Sequence, residues 1–240
     1  MTTRRVFLAG LLSGCGQAQS GVRLRARPVE KPAPSGEAKA GATALGLRAQ
    51  RDVLLYLPKS VPDPAPLMVY LHGATGGEQQ GIRRLGSLAE EFGFLLLSPA
   101  SEETTWDAIT SGYGRDVRVI DQALTRVFSQ KRVDPRKIAV SGFSDGASYG
   151  LGLGISNGDL FGAVMAFSPG FIPPGGKRTG APRMFISHGR NDQILPFEYT
   201  SGRLVPQLKR SGYDVTFRDF DGPHTVPPEI ARAAVEWWLK

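Results

Sequence analysis

The sequence predicts an α/β domain built on a mostly parallel sheet with helices on both faces. Three observations carry this reading. Leu67, Met68, Val69, Tyr70 and Leu71 form a short, almost wholly apolar run, as do residues 94–99 and 161–167, and strands covered on both sides have this composition. Between such runs the apolar residues repeat at helical spacing: Leu85, Leu88, Ala89 and Phe92, then Val119, Ile120, Ala123, Leu124 and Val127. Finally, 240 residues that are 41% hydrophobic and 21% charged are enough to bury one large core.

Taken in order, residues 52–57 read as a strand stopped by Pro58, and residues 61–66 as a proline-rich turn into the strand 67–71. That strand opens into His72-Gly73-Ala74-Thr75-Gly76-Gly77, a loop whose glycines let backbone N–H groups face a ligand. The helix through Leu85 stops at Gly93, residues 94–99 form the next strand, and a polar loop carrying Trp106 follows. A helix over residues 116–130 ends before Asp134-Pro135, which reads as the turn into the strand of Ile138, Ala139 and Val140. Residues 147–156 read as a helix despite Gly150, Gly152 and Gly154, each costing about 1 kcal/mol relative to Ala, a cost that close packing on the sheet would offset. Strands at 161–167, 183–187 and 215–220 and a final helix at 228–239 complete the alternation.

The N-terminus has a different character. Arg4-Arg5 precede the apolar run Val6-Phe7-Leu8-Ala9-Gly10-Leu11-Leu12, far too short to span a bilayer. Residues 1–14 resemble a twin-arginine export signal, and Leu12-Ser13-Gly14-Cys15 resembles the lipobox of bacterial lipoproteins. These resemblances imply export, cleavage before Cys15 and a lipid anchor on it that holds the protein at the outer side of a bacterial membrane. Cys15 is the sole cysteine, so no disulfide forms within the chain. Residues 15–46, rich in Gly, Ala, Pro, Ser and Arg, read as a flexible linker with its arginines solvated, and residues 47–240 as the domain. Residues 1–45 hold seven Lys/Arg against two Asp/Glu, so the domain itself, with 22 against 20, is nearly neutral. A nucleic-acid partner is therefore not expected.

The chemistry centres on Gly142-Phe143-Ser144-Asp145-Gly146, between a buried strand and a small-residue helix. A hydroxyl attacks a carbonyl only when a base takes its proton and when it stands clear of the backbone, and a sharp strand-to-helix turn with Ser144 at its tip supplies the second condition. In a parallel sheet the partners belong at the carboxyl ends of strands, and the order for such a turn is serine, acid, histidine. Three histidines are available. His72 lies upstream of Ser144, and His188 would leave no acid ahead of it on the correct edge, since Asp159 precedes its strand at the wrong one. His224 follows the strand 215–220 by a short loop and is the expected base. Asp192, in the turn after the strand 183–187, is the expected acid; Asp219 and Asp221 are rivals too close in sequence to His224 to face it from the far side. His72 and His188 are expected to fix their loops by hydrogen bonds.

Tyr70-Leu71-His72-Gly73, residues 140–146, His188-Gly189-Arg190-Asn191-Asp192 with Pro196, and Gly222-Pro223-His224 before a helix ending in Glu236-Trp237-Trp238-Leu239 together resemble the α/β-hydrolase superfamily. The likeness runs from about residue 54 to residue 238 and is to the small serine esterases of the phospholipase/carboxylesterase, dienelactone-hydrolase-like group. A second likeness is to polyhydroxybutyrate depolymerase and feruloyl esterase relatives. The resemblance implies an ester hydrolase with an acyl-enzyme intermediate, an oxyanion hole from the backbone N–H groups of Ala74 and Asp145, and a small-molecule or polymer-end ester as substrate. Two departures, Asp145 after the serine where Gln or Asn is commoner and Ala74-Thr75 in the loop, bear on substrate class. The connection 168–182 is too short and too rich in Pro and Gly for a helical lid, which predicts an open site with Trp106, Phe171, Ile172 and Phe197 as candidate walls. No metal cluster or phosphate loop is apparent, so no cofactor is expected. Thioesters are alternative substrates, and a non-catalytic ligand-binding module of the same fold is the alternative from another class.

Overall fold

Apolar strands with no polar face belong in the middle of a sheet, and that is where residues 65–71, 95–99 and 133–143 sit. The computed structural model describes residues 22–32 and 39–240. The elements are β1 (Gly41–Ala44), β2 (Val53–Leu57), β3 (Ala65–Leu71), α1 (Gln79–Phe92), β4 (Leu95–Pro99), α2 (Asp107–Thr110), α3 (Arg115–Gln130) and β5 (Val133–Phe143). After them come α4 (Asp145–Ser156), β6 (Ala163–Phe167), β7 (Arg183–Gly189), α5 (Ser201–Arg210), β8 (Val215–Phe220) and α6 (Pro228–Leu239), with a 3-10 turn at Phe197–Tyr199. One sheet holds these strands in the order β1-β2-β4-β3-β5-β6-β7-β8. The β1–β2 and β2–β4 pairs are antiparallel, and every pair from β4 onward is parallel.

Alternation along β3 builds two cores. Leu67, Val69 and Leu71 face the side covered by α3, α4 and α5, where Ile120, Leu124, Leu151, Leu153 and Leu204 are buried. Met68 and Tyr70 face the side covered by α1 and α6, with Leu85, Ala89, Ala234 and Trp238. The glycines of α4 allow the close approach that the sequence implied: a Cβ at Gly154 would lie 2.4 Å from Val164 Cγ2. Among the described residues, no helix is long and apolar enough to cross a membrane.

Three local expectations are corrected. The turn expected at Asp134-Pro135 is absorbed into β5, where the register against β3 jumps from Ala65↔Val133 to Leu67↔Ile138, so the extra residues bulge out of the ladder. Helix α5, with Pro206 inside it, was not anticipated. The linker expected over residues 15–46 is not one throughout, because residues 22–27 form a strap docked on α3 and α4 and residues 41–44 add strand β1. Val22, Leu24 and Ala26 are buried, while the intervening arginines face outward. Asn157 acts like a strand edge for the strap, its Oδ1 accepting from Leu24 N–H at 2.8 Å and its Nδ2 donating to Val22 O at 2.9 Å. Asp121 Oδ1 accepts from the N–H groups of Arg25 and Ala26. Arg23 grips Asp159 with both Nη atoms at 2.9 Å and Arg27 joins at 2.6 Å. Those guanidiniums, Arg23 first, pull the Asp159 carboxyl down to about 2. The export signal at residues 1–14 and Cys15 lie outside the described residues.

Candidate active site

The sharp turn after β5 has the geometry its residue types foretell. Ser144 stands at φ 56° and ψ −120°, a backbone conformation that costs a non-glycine residue on the order of 1–3 kcal/mol. Its neighbours must be glycines for reasons of space. A Cβ on Gly142 would lie 2.3 Å from Gly146 O, and one on Gly146 would lie 2.2 Å from Leu71 O. The turn is thereby pressed against the end of β3, and Ser144 N–H is anchored on Phe167 O of β6 at 2.9 Å. Thr75 and Ser168 also have positive φ, at the exits of β3 and β6, so backbone strain gathers at this edge of the sheet.

Asp192 follows β7 and is 4% exposed. Its Oδ1 accepts from Ile194 N–H at 2.9 Å and Leu195 N–H at 2.8 Å. Its Oδ2 lies 2.6 Å from His224 Nδ1. Burial by itself would raise the carboxyl, but the Leu195 N–H, His224 and the Ile194 N–H together hold it below the ordinary aspartate range. The imidazole of His224 lies against the Phe143 ring, next to the serine, with centroids 4.6 Å apart. Among the described residues no hydrogen bond joins Ser144 Oγ to that ring, and such contacts commonly tighten only with substrate present. Asp219 and Asp221 are engaged elsewhere, by Arg190 and by Asn191 respectively.

The other histidines have structural partners on both ring nitrogens. His188 Nδ1 lies 2.8 Å from Ser201 Oγ, and its Nε2 lies 2.8 Å from Leu195 O and 3.1 Å from Asp192 Oδ2. Burial, the largest influence, lowers its pKa, so it is a neutral donor bracing Asp192. His72 Nδ1–H donates to Gly73 O at 2.7 Å and Nε2 accepts from Ser101 N–H at 2.9 Å. Burial brings its pKa down to about 4, which keeps the acceptor nitrogen free of a proton at neutral pH.

The glycine loop after β3 reaches the serine. A Cβ on Gly73 would sit 3.4 Å from Ser144 Cβ. Gln80 Oε1 accepts from Gly73 N–H at 2.9 Å, and Arg51 Nη2 donates to Gly76 O at 2.9 Å. Neither Gln80 nor Arg51 was expected from the sequence, where each is an ordinary polar residue. Ala74 is exposed on this loop. Asp145 is the first residue of α4, so its N–H has no intrahelical carbonyl. Its side chain turns away, Oδ2 accepting from Thr105 Oγ1 at 2.5 Å.

The expected walls do not all line a cleft. Trp106 is fully buried: its Nε1–H donates to His72 O at 2.8 Å and its ring lies tilted against His72 with centroids 4.7 Å apart, so it supports the loop from beneath and is not a wall of the cleft. Phe197 is half-buried on Phe217, and Ile172 packs partly into the core. Phe171 is 43% exposed, and its loop is tied beside the serine by Gly170 N–H donating to Ser148 Oγ at 2.9 Å. The connection from β6 to β7 contains no helix. Among the described residues no cluster of three or more His, Cys, Asp or Glu is arranged to hold a metal ion.

Known proteins resemble this chain in sequence and in fold. It is 27% identical to the acetylxylan esterase of Coprinopsis cinerea over 203 residues, covering 66% of this chain and 53% of that protein. It is 26% identical to a bifunctional acetylxylan esterase/xylanase of Neocallimastix patriciarum over 163 residues, covering 65% of this chain and 23% of that one. The chain thus spans between about a quarter and about half the length of these relatives. A truncated carbohydrate esterase from gut microbiota superposes with a TM-score of 0.68 at 15% identity, over 86% of this chain and 98% of that one. The acetyl xylan esterase from Aspergillus awamori superposes with 0.60 at 18% identity, over 78% and 93%. These neighbours make the architecture an α/β-hydrolase fold. The model of the phospholipase/carboxylesterase family matches residues 102–237, more than half of the chain and all of the Ser144, Asp192 and His224 segments, and the protein belongs to that family.

Proposed function

We propose that this protein is a serine carboxylic-ester hydrolase that works through Ser144, His224 and Asp192. The observation that carries the proposal is the 2.6 Å bond from Asp192 to His224 Nδ1, set at the strand edge that bears the strained serine turn. Asp192 holds the imidazole with Nδ1 protonated, which leaves Nε2 to take the Ser144 proton as Oγ attacks the ester carbonyl. Negative charge on the carbonyl oxygen is met by the N–H groups of Ala74 and Asp145, each such donor being worth about 3 kcal/mol in the transition state. His224 passes its proton to the departing alkoxide, and water activated by the same nitrogen then hydrolyses the acyl-enzyme. His72 and Gln80 act through the loop they pin, holding the Ala74 donor in place before substrate arrives.

The acyl group we propose is small, an acetyl carried by an exposed ester such as that on a carbohydrate polymer. The names of the relatives support the acetyl group. The lidless connection and the exposed Phe171 support access for a large substrate. A fluorophosphonate probe is expected to add one covalent mass to the peptide containing Ser144, and acetylated xylan to release acetate in proportion to labelable enzyme. Labelling without turnover on any ester or thioester panel would favour a binding module, and no labelling would overturn the serine mechanism.

We further propose export and lipidation at Cys15, on the motif at residues 12–15. Cells fed labelled palmitate should yield labelled protein from the wild type and none from Cys15→Ala; an unlabelled wild type would refute the anchor.

A further inference from the structure

Helices α1 and α6 lie side by side and leave a groove of ≈ 880 Å³ whose walls include Gln80, Arg83, Arg84, Val226, Glu229 and Arg232. Its charge is unevenly answered. Arg232 is committed to Glu91, at 2.7 Å from Nη1 to Oε1. Arg83 and Arg84 have no carboxylate partner among the described residues. Arg84 lies with its Cζ 4.9 Å above the Phe143 ring, makes one long contact of 3.5 Å to Val226 O, and bears on the buried Tyr70 hydroxyl. Two guanidiniums without a carboxylate of their own thus line a groove with one free carboxylate, Glu229, which leaves it net positive and suited to an anion.

The groove and the site share bordering residues. Gln80 lines it and also holds Gly73; Arg84 covers the face of Phe143, which stacks on His224; and Val226 stands two residues beyond that histidine. His224 must reach the leaving alkoxide to protonate it, so the alcohol half of a bound ester leaves over the His224 side, which is the side of the groove. We propose that Arg83 and Arg84 bind a carboxylate carried on the alcohol portion of the substrate, making the preferred leaving group an acidic alcohol such as an acidic sugar. Guanidinium suits this role because its planar fork matches a carboxylate. This inference rests on the esterase reading above.

The experiment compares 4-acetoxybenzoate with 4-acetoxybenzamide, esters of one acyl group whose leaving groups differ in charge. The wild type is expected to favour the charged ester by about tenfold in kcat/KM at low ionic strength, roughly what two partly exposed charges supply, mostly through KM. The preference should shrink toward unity in about 0.5 M salt, where screening reaches only a few ångströms. It should also vanish in the Arg83→Gln/Arg84→Gln double variant, the ratio being read whatever the neutral rate becomes. Should that variant lose all turnover, Arg83→Gln alone, an exposed position, must lower the ratio. A wild-type ratio at or below one, or a ratio unmoved by the substitutions, overturns the proposal. Turnover of neither ester by the wild type would instead overturn the esterase reading, and the leaving-group role with it.

Discussion

Ser144→Ala should lower kcat for p-nitrophenyl acetate by about 10⁶-fold, the order seen when the nucleophile of such a triad is removed. The fold should survive, because Ser144 Oγ supports no other element: the bonds in its turn run through its backbone, from Phe167 O to its N–H and from its O to the N–H groups of Ala147 and Ser148. Melting of the alanine variant should therefore stay within about 0.5 kcal/mol of the wild type. Ser144→Gly makes a sharper companion. It should be equally inactive yet more stable by about 1 kcal/mol, because glycine relieves the strain at φ 56° and ψ −120° that serine and alanine both bear. Turnover retained in both variants would remove Ser144 from the mechanism. Equal melting of the two would mean that the turn stores no strain.

Asp192→Asn should cost about 10⁴-fold in kcat with the protein still folded. The asparagine carbonyl can keep the N–H groups of Ile194 and Leu195 that Oδ1 now holds, so its NH₂ must face His224 Nδ1. A donor there forces the histidine into the tautomer with its proton on Nε2, where it cannot accept from Ser144. His188 has to yield to that orientation: its Nε2–H lies 3.1 Å from the oxygen that the NH₂ replaces, and it avoids the new donor by leaning wholly onto Leu195 O, 2.8 Å away. Steady-state kinetics together with near-UV circular dichroism check this result. An asparagine variant within tenfold of wild type would show that another group orients His224.

Much of this site can be read from residue order because each part uses chemistry with few substitutes. Gly142 and Gly146 are dictated by backbone atoms 2.2–2.3 Å from where a side chain would begin, and Asp192 and His224 each follow a strand, β7 and β8. What escaped reading depends on contacts between distant segments. Val22, Leu24 and Ala26 alternate like a strand, but their partner is the side chain of Asn157, 135 positions from Val22, and a linker-like composition hid the pattern. Trp106 looked like a wall because it sits in a polar loop, and only the fold puts it beneath His72. Helix α5 carries Leu204, Val205 and Leu208 at helical spacing, a pattern interrupted by Pro206 and opened by Ser201-Gly202. Gln80 and Arg51 brace the glycine loop through single hydrogen bonds that leave no periodic trace.

The docked strap sets the reach and the attitude of the protein should Cys15 carry its acyl chains. Six residues, 16 to 21, then separate the anchor from the start of the strap at Val22, and span at most about 20 Å. A thirty-residue coil would let the domain roam and tumble, whereas this leash permits little of either. The leash also attaches at a particular end of the molecule. The strap binds Ser156, Asn157 and Asp159 at the carboxyl end of α4 and just beyond it, and Ser144 caps the amino end of the same helix. Twelve helical residues set the two about 18 Å apart along one axis. Such an enzyme would stand on the membrane by the foot of α4 and hold its serine outward, toward polymers too large to approach the bilayer.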